Sequence, residues 1–305
     1  MIGNAGSIIV SRFYQLIARR QIQVCFAVAS DGERRYVDLL TISALALRKI
    51  YGAAKLTILT DDQSLPIIAP LLAHHDLAKN IRSVGAFPGG MGARSRFAKT
   101  QARQFMEGDF LYLDADAIPV AAFDQLFRDR TVSVCAAIDR SPEAPAGCGL
   151  PSWASSAFER LGWSHPLPFY LNSGVVFWRD TPIARQLGNA WHENWLQFFR
   201  SSNDFADQPA FNHSLSSLGI SPGVMHDRYN ARVGLSPEFT DGASIYHFYA
   251  SDSKLPGHAA LEELLIAFRK GDPLDVSLID AALARSHASR HASHSLPRQI
   301  DTLPL

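Results

Sequence analysis

The sequence is poor in cysteine and has no excess of charge of either sign. Its three cysteines, Cys25, Cys135 and Cys148, are an odd number without the paired spacing of a zinc site. Cys25 and Cys135 lie in apolar runs, where cysteine usually serves as a small core residue, so we expect a thiol-reduced, cytoplasmic protein. Because 29 Lys and Arg balance 29 Asp and Glu, the composition does not indicate a nucleic-acid binder. An anionic ligand must therefore be bound by local chemistry.

Long apolar runs are also missing. No stretch of the sequence approaches the roughly 18 apolar residues of a membrane span. Residues 1–20 lack the basic start and the long apolar core of a secretory signal. We expect them to form an N-terminal extension, either a plain surface helix or a short amphipathic helix with weak membrane-surface association. Residues 284–305 are typical of a polar, disordered tail, which leaves 21–283 for one globular domain.

Short apolar runs alternate with helical patterns along this domain. Strands are predicted over 22–30, 55–60, 80–87, 110–114, 132–138, 169–179 and 244–249, and helices cover several of the intervals, including 182–199 and 207–217. This alternation predicts βαβ units and an α/β fold with a mostly parallel mixed sheet flanked by helices. We expect a nucleotide-binding half over about 21–130 and an acceptor half over about 131–283.

Acidic residues follow three of the predicted strands. They are Asp31, the pair Asp61 and Asp62, and the pair Asp114 and Asp116. Right-handed crossovers place the carboxyl ends of parallel strands at one edge of the sheet, where open α/β sheets bind their ligands. The repetition predicts a ligand site at that edge.

The segment FLYLDADAIPV (110–120) carries the chemistry. Asp114 and Asp116 stand at i and i+2 after an apolar strand, so that both carboxylates can face one small volume. Close carboxylates repel each other unless a cation lies between them, and oxygen ligands favour Mg²⁺ or Mn²⁺. The alternative is a turn in which one Asp caps the next helix, although two adjacent acids at the end of a buried strand cost stability unless they are paired.

This segment closely resembles the DxD segment of GT-A glycosyltransferases, especially the family 8 type that includes bacterial galactosyl- and glucosyltransferases and glycogenin-like proteins. The resemblance continues in family order. The strand YLNSGVVFW (170–178) resembles the family's Asn-Ser/Ala-Gly strand, DQPAFN (207–212) its Asp-Gln…Asn segment, and IYHFYASDSK (245–254) its His-aromatic…Lys segment. Together the pieces span about 22–258. The resemblance implies a GT-A fold and a transferase that uses a nucleotide sugar.

The resemblance also implies a metal and diphosphate site. Asp114 and Asp116 would bind Mn²⁺ or Mg²⁺ and, with the intervening Ala115, contact the donor diphosphate. His247 would be the third protein ligand, and Lys254 would pair with the leaving diphosphate. The alternatives are that His247 is a core or rim histidine and that Lys254 is a solvated loop lysine.

Further donor contacts are implied in the first half of the chain. Ser30 and Asp31 follow the first strand, where the family holds the base and the ribose, and Asp61 ends the second strand at a comparable place. Arg96 and Lys99 match the basic position that reaches the donor phosphates. The spacing leaves open which of these two makes the contact.

The acceptor and the reacting centre are expected at Asn172, Asp207 and Gln208. Asn172 lies mid-strand among apolar neighbours, so its amide needs an internal partner or a ligand. Asp207 and Gln208 could equally cap the next helix, since Pro209 suits a first helical turn. Capping and catalysis are compatible.

The chain departs from the family near its C-terminal motif. Ala250 stands where the family has glycine, and Lys254 is followed by Leu255 and Pro256 rather than Pro-Trp. These changes leave the donor sugar and the exact family open.

The sequence therefore predicts a metal-dependent transferase that moves a hexose from a nucleotide-diphosphate sugar, UDP in the first instance, to a hydroxyl of a carbohydrate, lipid-linked glycan or protein acceptor, with retention of configuration. One alternative is a sugar-phosphate nucleotidyltransferase, although the segment 30–35 has a single glycine where that class has a glycine-rich loop. The other is a nucleotide-sugar-binding protein without turnover. The oligomeric state is not indicated.

Overall fold

The computed structural model describes residues 22–52, 54–128, 131–139, 150–165, 167–202, 204–233, 240, 242–249, 258–277 and 279. The predicted N-terminal extension, the polar tail, Cys148, Ala250 and Lys254 lie outside these residues.

Among the described residues, seven strands form the main sheet, in the order β3-β2-β1-β4-β7-β6-β8. All of its pairs are parallel except the two made by β7, which is antiparallel to β4 and to β6. The strands are β1 (Gln23–Ala27), β2 (Lys55–Thr60), β3 (Ile81–Ser83), β4 (Phe110–Leu113), β6 (Val134–Ile138), β7 (Leu171–Trp178) and β8 (Gly223–Met225). The predicted mostly parallel mixed sheet is confirmed.

A second sheet of three strands carries the C-terminal histidine motif. It consists of β5 (Ala117–Pro119), β9 (Ala231–Arg232) and β10 (Ile245–His247), with β10 in the middle. β10 is antiparallel to β5 and parallel to β9. Since β5 begins three residues after Asp114, the second sheet brings the histidine motif beside the acidic motif.

Helices cover both faces of the main sheet. They are α1 (Arg35–Tyr51), α2 (Leu65–Ala73), α3 (Met91–Thr100), α4 (Ala102–Phe105), α5 (Ser152–Leu161), α6 (Pro182–Ser202), α7 (Gln208–Ser217) and α8 (His258–Lys270). The predicted strands are present; the strand over 55–60 has its predicted bounds, and the others are shorter than their apolar runs. The third, for example, ends at Ser83 because Gly85 takes φ +97°, outside the extended region.

The two faces of the sheet build two different cores. Side chains of α1 and α2 pack on one face, against residues such as Phe26 and Leu113. On the other face α3, α6 and α7 pack against residues such as Tyr112 and Trp178. Trp191 and Trp195 of α6 are fully buried there. The two cores hold the strand ends rigidly between them.

Helix α1 is buried on two sides. Leu40 and Leu47 face the main sheet, whereas Leu39 and Ile42 pack with the second sheet and α8. An apolar surface on both sides is typical of a helix held between two layers. Helix α1 therefore joins the second sheet to the main sheet and fixes their relative position.

Two side findings concern membranes and thiols. Among the described residues, no helix combines the length and the apolarity needed to cross a bilayer. Cys25 is a free thiol in the core, and burial raises its pKa far above the ordinary value. Cys135 is free and half-buried on β6. Cys25 thus has the predicted role of a small core residue.

Candidate metal and donor site

The paired aspartates lie at the carboxyl end of β4, at the centre of the main sheet. The Asp114 amide donates to the Gly174 carbonyl on β7 (2.8 Å), and the Ala117 amide donates back to the Asp114 carbonyl (2.9 Å). The Tyr112 hydroxyl donates to Asp114 Oδ1 (2.9 Å). Burial and the nearby Asp114 carboxylate raise the Tyr112 pKa, so the phenol keeps the proton that it donates. Asp114 is therefore held through its backbone by β7 and the following turn, and through Oδ1 by the neutral Tyr112 hydroxyl.

His247 reaches the same volume from the second sheet, where it pairs in register with Ala117. Its Nε2 lies 3.5 Å from Asp116 Oδ1 and 3.9 Å from Asp114 Oδ2. One ligand atom from each of these three side chains lies within 4.8 Å of the other two. His247 and Asp116 are almost completely buried. The structure therefore brings together the three predicted metal ligands.

Gly174 leaves the space that these side chains use. A Cβ at this position would lie 2.2 Å from His247 Cε1, 2.8 Å from His247 Nε2 and 2.9 Å from Asp114 Oδ2. The glycine is thus required by close approach and not by backbone conformation. Two carboxylates and one imidazole form a mixed O and N donor set that suits Mn²⁺ and accepts Mg²⁺. The residues present therefore fit a hard divalent cation.

Lys99 lies behind the aspartates and is 1% exposed. Its ammonium is 3.0 Å from Asp114 Oδ1 and 3.1 Å from Asp207 Oδ2. Ser173 Oγ donates to the same Asp207 oxygen (2.7 Å). A cavity lies beside Asp114 and Asp116 and is called the donor cavity below. Lys99 is not among the residues that line it, so Lys99 connects two carboxylates inside the protein.

Arg96 occupies a different place, one turn earlier on α3. Its Nε lies 2.9 Å from Asp207 Oδ1, and the residue lines the donor cavity next to Asp114 and Asp116. Burial alone would lower the Arg96 pKa, but the carboxylates of Asp207, Asp114 and Asp116 raise it above the ordinary value. Of the two candidate basic residues, Arg96 is the one that faces the cavity.

Asp207 stands at the N-cap position of α7 but makes no side-chain cap. Its two oxygens are held instead by Arg96, Lys99 and Ser173. The capping interpretation of this carboxylate is therefore wrong, because two cations and a hydroxyl attract it more strongly than the helix amides. Pro209 does lie in the first turn of α7, as predicted.

The donor cavity has a volume of about 500 Å³. It extends from the end of β1 to the paired aspartates and is lined by Ala27, Val28, Ala29, Glu33, Arg35, Tyr36, Met91, Gly92, Ser95, Arg96, Asp114, Ala115, Asp116 and Phe205. Ala115, a predicted donor contact, therefore lies in its wall. The cavity is large enough for a drug-sized ligand, and two of the three predicted metal ligands, Asp114 and Asp116, line its acidic end.

Two predicted nucleotide contacts, Ser30 and Asp31, follow β1 but are not part of this lining. Ser30 is fully buried: its amide donates to Ser64 Oγ (2.9 Å) and its hydroxyl donates to the Glu33 carbonyl (2.8 Å). Asp31 is exposed. Ser30 thus shapes the loop that leads into the cavity wall at Glu33.

Asp61 is fully buried at the end of β2. Its Oδ1 accepts from the backbone amides of Gln63 (2.9 Å) and Ser64 (3.2 Å), and its Oδ2 accepts from the Ser64 hydroxyl (2.5 Å). Arg94 lies 3.5 Å away. The carboxylate therefore closes the turn into α2, and it does not line the donor cavity.

Asn172 and Gln208 lie together on the β7 side of the site. Asn172 Nδ2 donates to Gln208 Oε1 (3.1 Å), and the Ser173 amide donates to the same oxygen (3.2 Å). Gln208 Nε2 donates to Asp139 Oδ2. The internal partner that the buried Asn172 amide requires is therefore Gln208.

Four residues at the site were not predicted: Asp139, Gly174, Asn230 and Arg232. Asp139 directly follows the apolar run VCAAI of β6, so the pattern of an acid at the end of a predicted strand applies to it as well. Gly174 is inside the quoted motif, but its contact with His247 spans 73 positions of sequence. Asn230 and Arg232 lie in a segment without a strong pattern.

No family model and no curated protein matches this sequence. Solved structures do match. The galactosyltransferase LgtC, solved with donor and acceptor sugar analogues, superposes with a TM-score of 0.54 at 16% identity, over 81% of this chain and 96% of that one. The chain has the GT-A fold.

Other GT-A structures support the assignment. The glycosyltransferase GlyE from Streptococcus pneumoniae superposes with a TM-score of 0.52 at 15% identity, over 88% of this chain and 64% of that one. The bifunctional glycosyltransferase WbbM gives 0.51 at 12% identity, over 77% and 46%. These neighbours are glycosyltransferases, which confirms the predicted GT-A fold.

Proposed function

We propose that this protein is a metal-dependent glycosyltransferase that moves a hexose from a nucleotide-diphosphate sugar, UDP in the first instance, to a hydroxyl acceptor. One observation carries the proposal: Asp114 and Asp116 line one end of a ligand-sized cavity, and His247 converges with them there. The GT-A fold and the glycosyltransferase neighbours support the same reaction class.

We expect different residues of the cavity to contact different parts of the donor. Its end near β1, with Glu33 and Tyr36, is where we place the base and the ribose, and Asp31 beside it is exposed to solvent. Its acidic end is where we place the diphosphate, with Arg96 as the nearest fixed cation. Lys254, in the resemblance, would add a second cation to the leaving diphosphate.

A bound Mn²⁺ or Mg²⁺ would neutralise the diphosphate as it leaves. Asp114 and Asp116 would hold the ion through carboxylate oxygens and His247 through Nε2. The Lys99 ammonium lies between the carboxylates of Asp114 and Asp207, so it offsets the electrostatic repulsion between them.

Gln208 is our candidate for the group next to the anomeric carbon. Its amide is fixed at both ends, by Asn172 and Ser173 on the oxygen and by Asp139 on the nitrogen. A fixed dipole of this kind stabilises positive charge that develops on the sugar ring without reorganisation. With the acceptor hydroxyl deprotonated by the departing phosphate, configuration would be retained, and an inverted product in an NMR assay would contradict this part of the proposal.

We propose further that the catalytic domain extends over about 21–283 and that the protein acts in the cytoplasm on a carbohydrate, lipid-linked glycan or protein. Pyrophosphate release from a nucleoside triphosphate and a sugar phosphate would instead support a nucleotidyltransferase. Donor binding without hydrolysis or transfer would support a binding protein.

The decisive test is a thermal-shift panel of nucleotide sugars with and without Mn²⁺. A ligand at about 100 times its dissociation constant stabilises the fold by roughly 2.7 kcal/mol, which is a visible shift. We expect the stabilisation to require Mn²⁺ and to disappear in Asp116→Asn. Equal shifts with and without Mn²⁺, or an unchanged shift in the variant, would refute the metal-dependent site.

A further inference from the structure

The second ring nitrogen of His247 has a buried partner in the second sheet region. His247 Nδ1 lies 2.8 Å from Asn230 Oδ1, on the side of the ring away from the aspartates. Both residues are almost completely buried, at 3% and 2% exposure. A buried amide oxygen accepts but does not donate, so Nδ1 carries the proton in the neutral ring. The lone pair of Nε2 then remains available for a metal ion on the side of Asp114 and Asp116.

The orientation of the Asn230 amide is itself determined by a neighbour. Asn230 Nδ2 donates to Asn172 Oδ1 (2.9 Å), which also accepts from the Gly174 amide (2.9 Å). Because the Asn172 oxygen can only accept, the Asn230 nitrogen must face it. Asn230 Oδ1 is thereby turned toward His247.

From Asn172 the same direction of donation continues to the reacting centre. Asn172 Nδ2 donates to Gln208 Oε1 (3.1 Å), and Gln208 Nε2 donates to Asp139 Oδ2. The chain therefore runs from an imidazole through three amides to a carboxylate, with every donor pointing the same way. Chains of this kind polarise one another, and the low dielectric of a buried site strengthens each bond.

The far end of the chain is anchored by a second cation. Arg232 contacts Asp139 and is 8% exposed. Burial lowers the Arg232 pKa to about 10, which still leaves the guanidinium charged at neutral pH. Asp139 thus lies between the Gln208 amide nitrogen, which donates to it, and a guanidinium, and the direction of the chain is set from both ends.

We propose that Asn230 is a positioning residue that selects the Nδ1–H form of His247 and couples the metal ligand to the orientation of Gln208. The proposal rests on the proposed function, since it assumes a metal at Nε2. Outer-shell partners of this type change metal affinity by roughly 10–100-fold. Its effect on Gln208 is separate, because it passes through Asn172.

Two substitutions distinguish the two effects. Asn230→Ala removes both bonds. Asn230→Asp keeps an oxygen for His247 Nδ1–H but replaces the donor to Asn172 Oδ1 by a second acceptor, so only the link to Gln208 is broken. Ser217→Ala, at an exposed position at the opposite end of α7 from Gln208, serves as a control for handling.

The first readout needs neither metal nor activity. We expect the imidazole ¹⁵N spectrum of the metal-free protein, recorded at a pH high enough for every imidazole ring to be neutral and with the His247 signal assigned from a His247→Gln spectrum, to show the Nδ1–H form in the wild type and in Asn230→Asp. In Asn230→Ala the Nε2–H form should appear. An unchanged tautomer in a folded Asn230→Ala protein would overturn the proposal.

The second readout is Mn²⁺ binding followed by electron paramagnetic resonance, beside kcat for the transfer. Asn230→Ala should weaken Mn²⁺ binding by roughly 10–100-fold, whereas Asn230→Asp should keep the affinity within a few-fold and lower kcat. Equal affinity in wild type and Asn230→Ala would overturn the inference alone. A wild-type protein that binds no Mn²⁺ would overturn the proposed function as well, which separates the two failures.

Discussion

Strands β2 and β4 of the main sheet both end in aspartate, but the two carboxylates have different surroundings. Asp61 after β2 is fully buried, and its oxygens accept from two backbone amides and a serine hydroxyl of its own turn. Asp114 after β4 faces a second carboxylate and an imidazole across a cavity. A carboxylate whose two oxygens accept hydrogen bonds from its own turn stabilises the fold. Carboxylates that converge at the wall of a cavity are available to a ligand.

The largest effect is expected at the glycine that leaves room for the convergent group. Gly174→Ala would place a methyl group 2.2 Å from His247 Cε1, and the ring would have to leave its place between Asn230 and the aspartates. We expect a loss of Mn²⁺ affinity greater than about 100-fold, beyond the range for outer-shell changes. Calorimetric titration with Mn²⁺ measures it.

Gly188→Ala is the matched control for this substitution. Its methyl group would lie 2.6 Å from Arg103 Cβ, in the contact between α4 and α6. Overpacking of this kind costs about 1–3 kcal/mol of stability but leaves the metal ligands in place. Similar loss of Mn²⁺ binding in both variants would show that Gly174 acts through the fold and not through its contact with His247.

Lys99 and Arg96 lie on the same helix, α3, but we expect the first to act on stability and the second on donor binding. Lys99→Met removes the ammonium between Asp114 and Asp207, so two buried carboxylates lose their common partner. Breaking a buried ion pair on one side costs about 3–5 kcal/mol, and urea unfolding at pH 7 should show a loss of that size. Lys99→Arg is the conservative control.

Arg96→Ala should act on the donor instead. Its guanidinium lines the cavity, and a hydrogen bond to a charged group contributes about 1.5–3 kcal/mol, so we expect the donor KM to rise about 10-fold or more with a smaller loss of stability. A Lys99→Met protein that is as stable as the wild type but has the higher donor KM would reverse these two assignments.

Substitutions of the acids after β2 and β4 should have opposite effects on stability and on metal binding. Asp61→Ala leaves the buried amide and hydroxyl of Ser64 without the Asp61 acceptor and removes the carboxylate beside Arg94, so it should lower stability by about 2–3 kcal/mol and keep Mn²⁺ binding. Asp116→Asn should abolish Mn²⁺ binding with a change in stability below about 1 kcal/mol. Chemical denaturation and metal titration of both proteins decide it. Loss of Mn²⁺ binding in a folded Asp61→Ala protein would contradict the structural role of Asp61.

The smallest effect concerns a histidine whose ring is used inside the protein. His192 Nδ1 lies 2.8 Å from Thr100 Oγ1, and burial lowers the His192 pKa to about 4. The unfolded chain therefore takes up the proton first, and stability that is complete above about pH 6.5 falls as the pH drops toward 4. At pH 5 the loss should be about 1 kcal/mol after allowance for partial exposure. His192→Gln should show a smaller decrease between pH 7 and pH 5 than the wild type, and equal decreases would contradict this source.

Much of the fold could be predicted because its signals are local. The apolar runs of β1, β2 and β4 each contain their own strand pattern, and the helices between them follow from spacing. The short strands β5, β8 and β9 could not be predicted in the same way. Two or three residues carry too little periodicity, and these strands exist because partners distant in sequence pair with them.

The candidate site shows the same division. The sequence by itself located the acidic pair Asp114 and Asp116 at the end of an apolar strand, but the structure places both residues in the turn between β4 and β5, so the turn and not the alternation of a strand brings them together. The resemblance added His247, which no local pattern could join to residues more than 130 positions earlier. The tertiary structure alone decided that Lys99 is internal while Arg96 faces the cavity, since that depends on which side of α3 packs against the main sheet.

The tertiary structure also decided which polar side chains are available to a ligand. Sequence shows Asp61 and Asp114 as similar acids at similar strand ends, and Asn230 as an ordinary polar residue in a turn. Hydrogen bonds between distant segments assign Asp61 to its turn, Asn230 to His247 and Gln208 to Asp139. The reason is physical: a buried polar group must find a partner, and only the packed fold determines which partners are within reach.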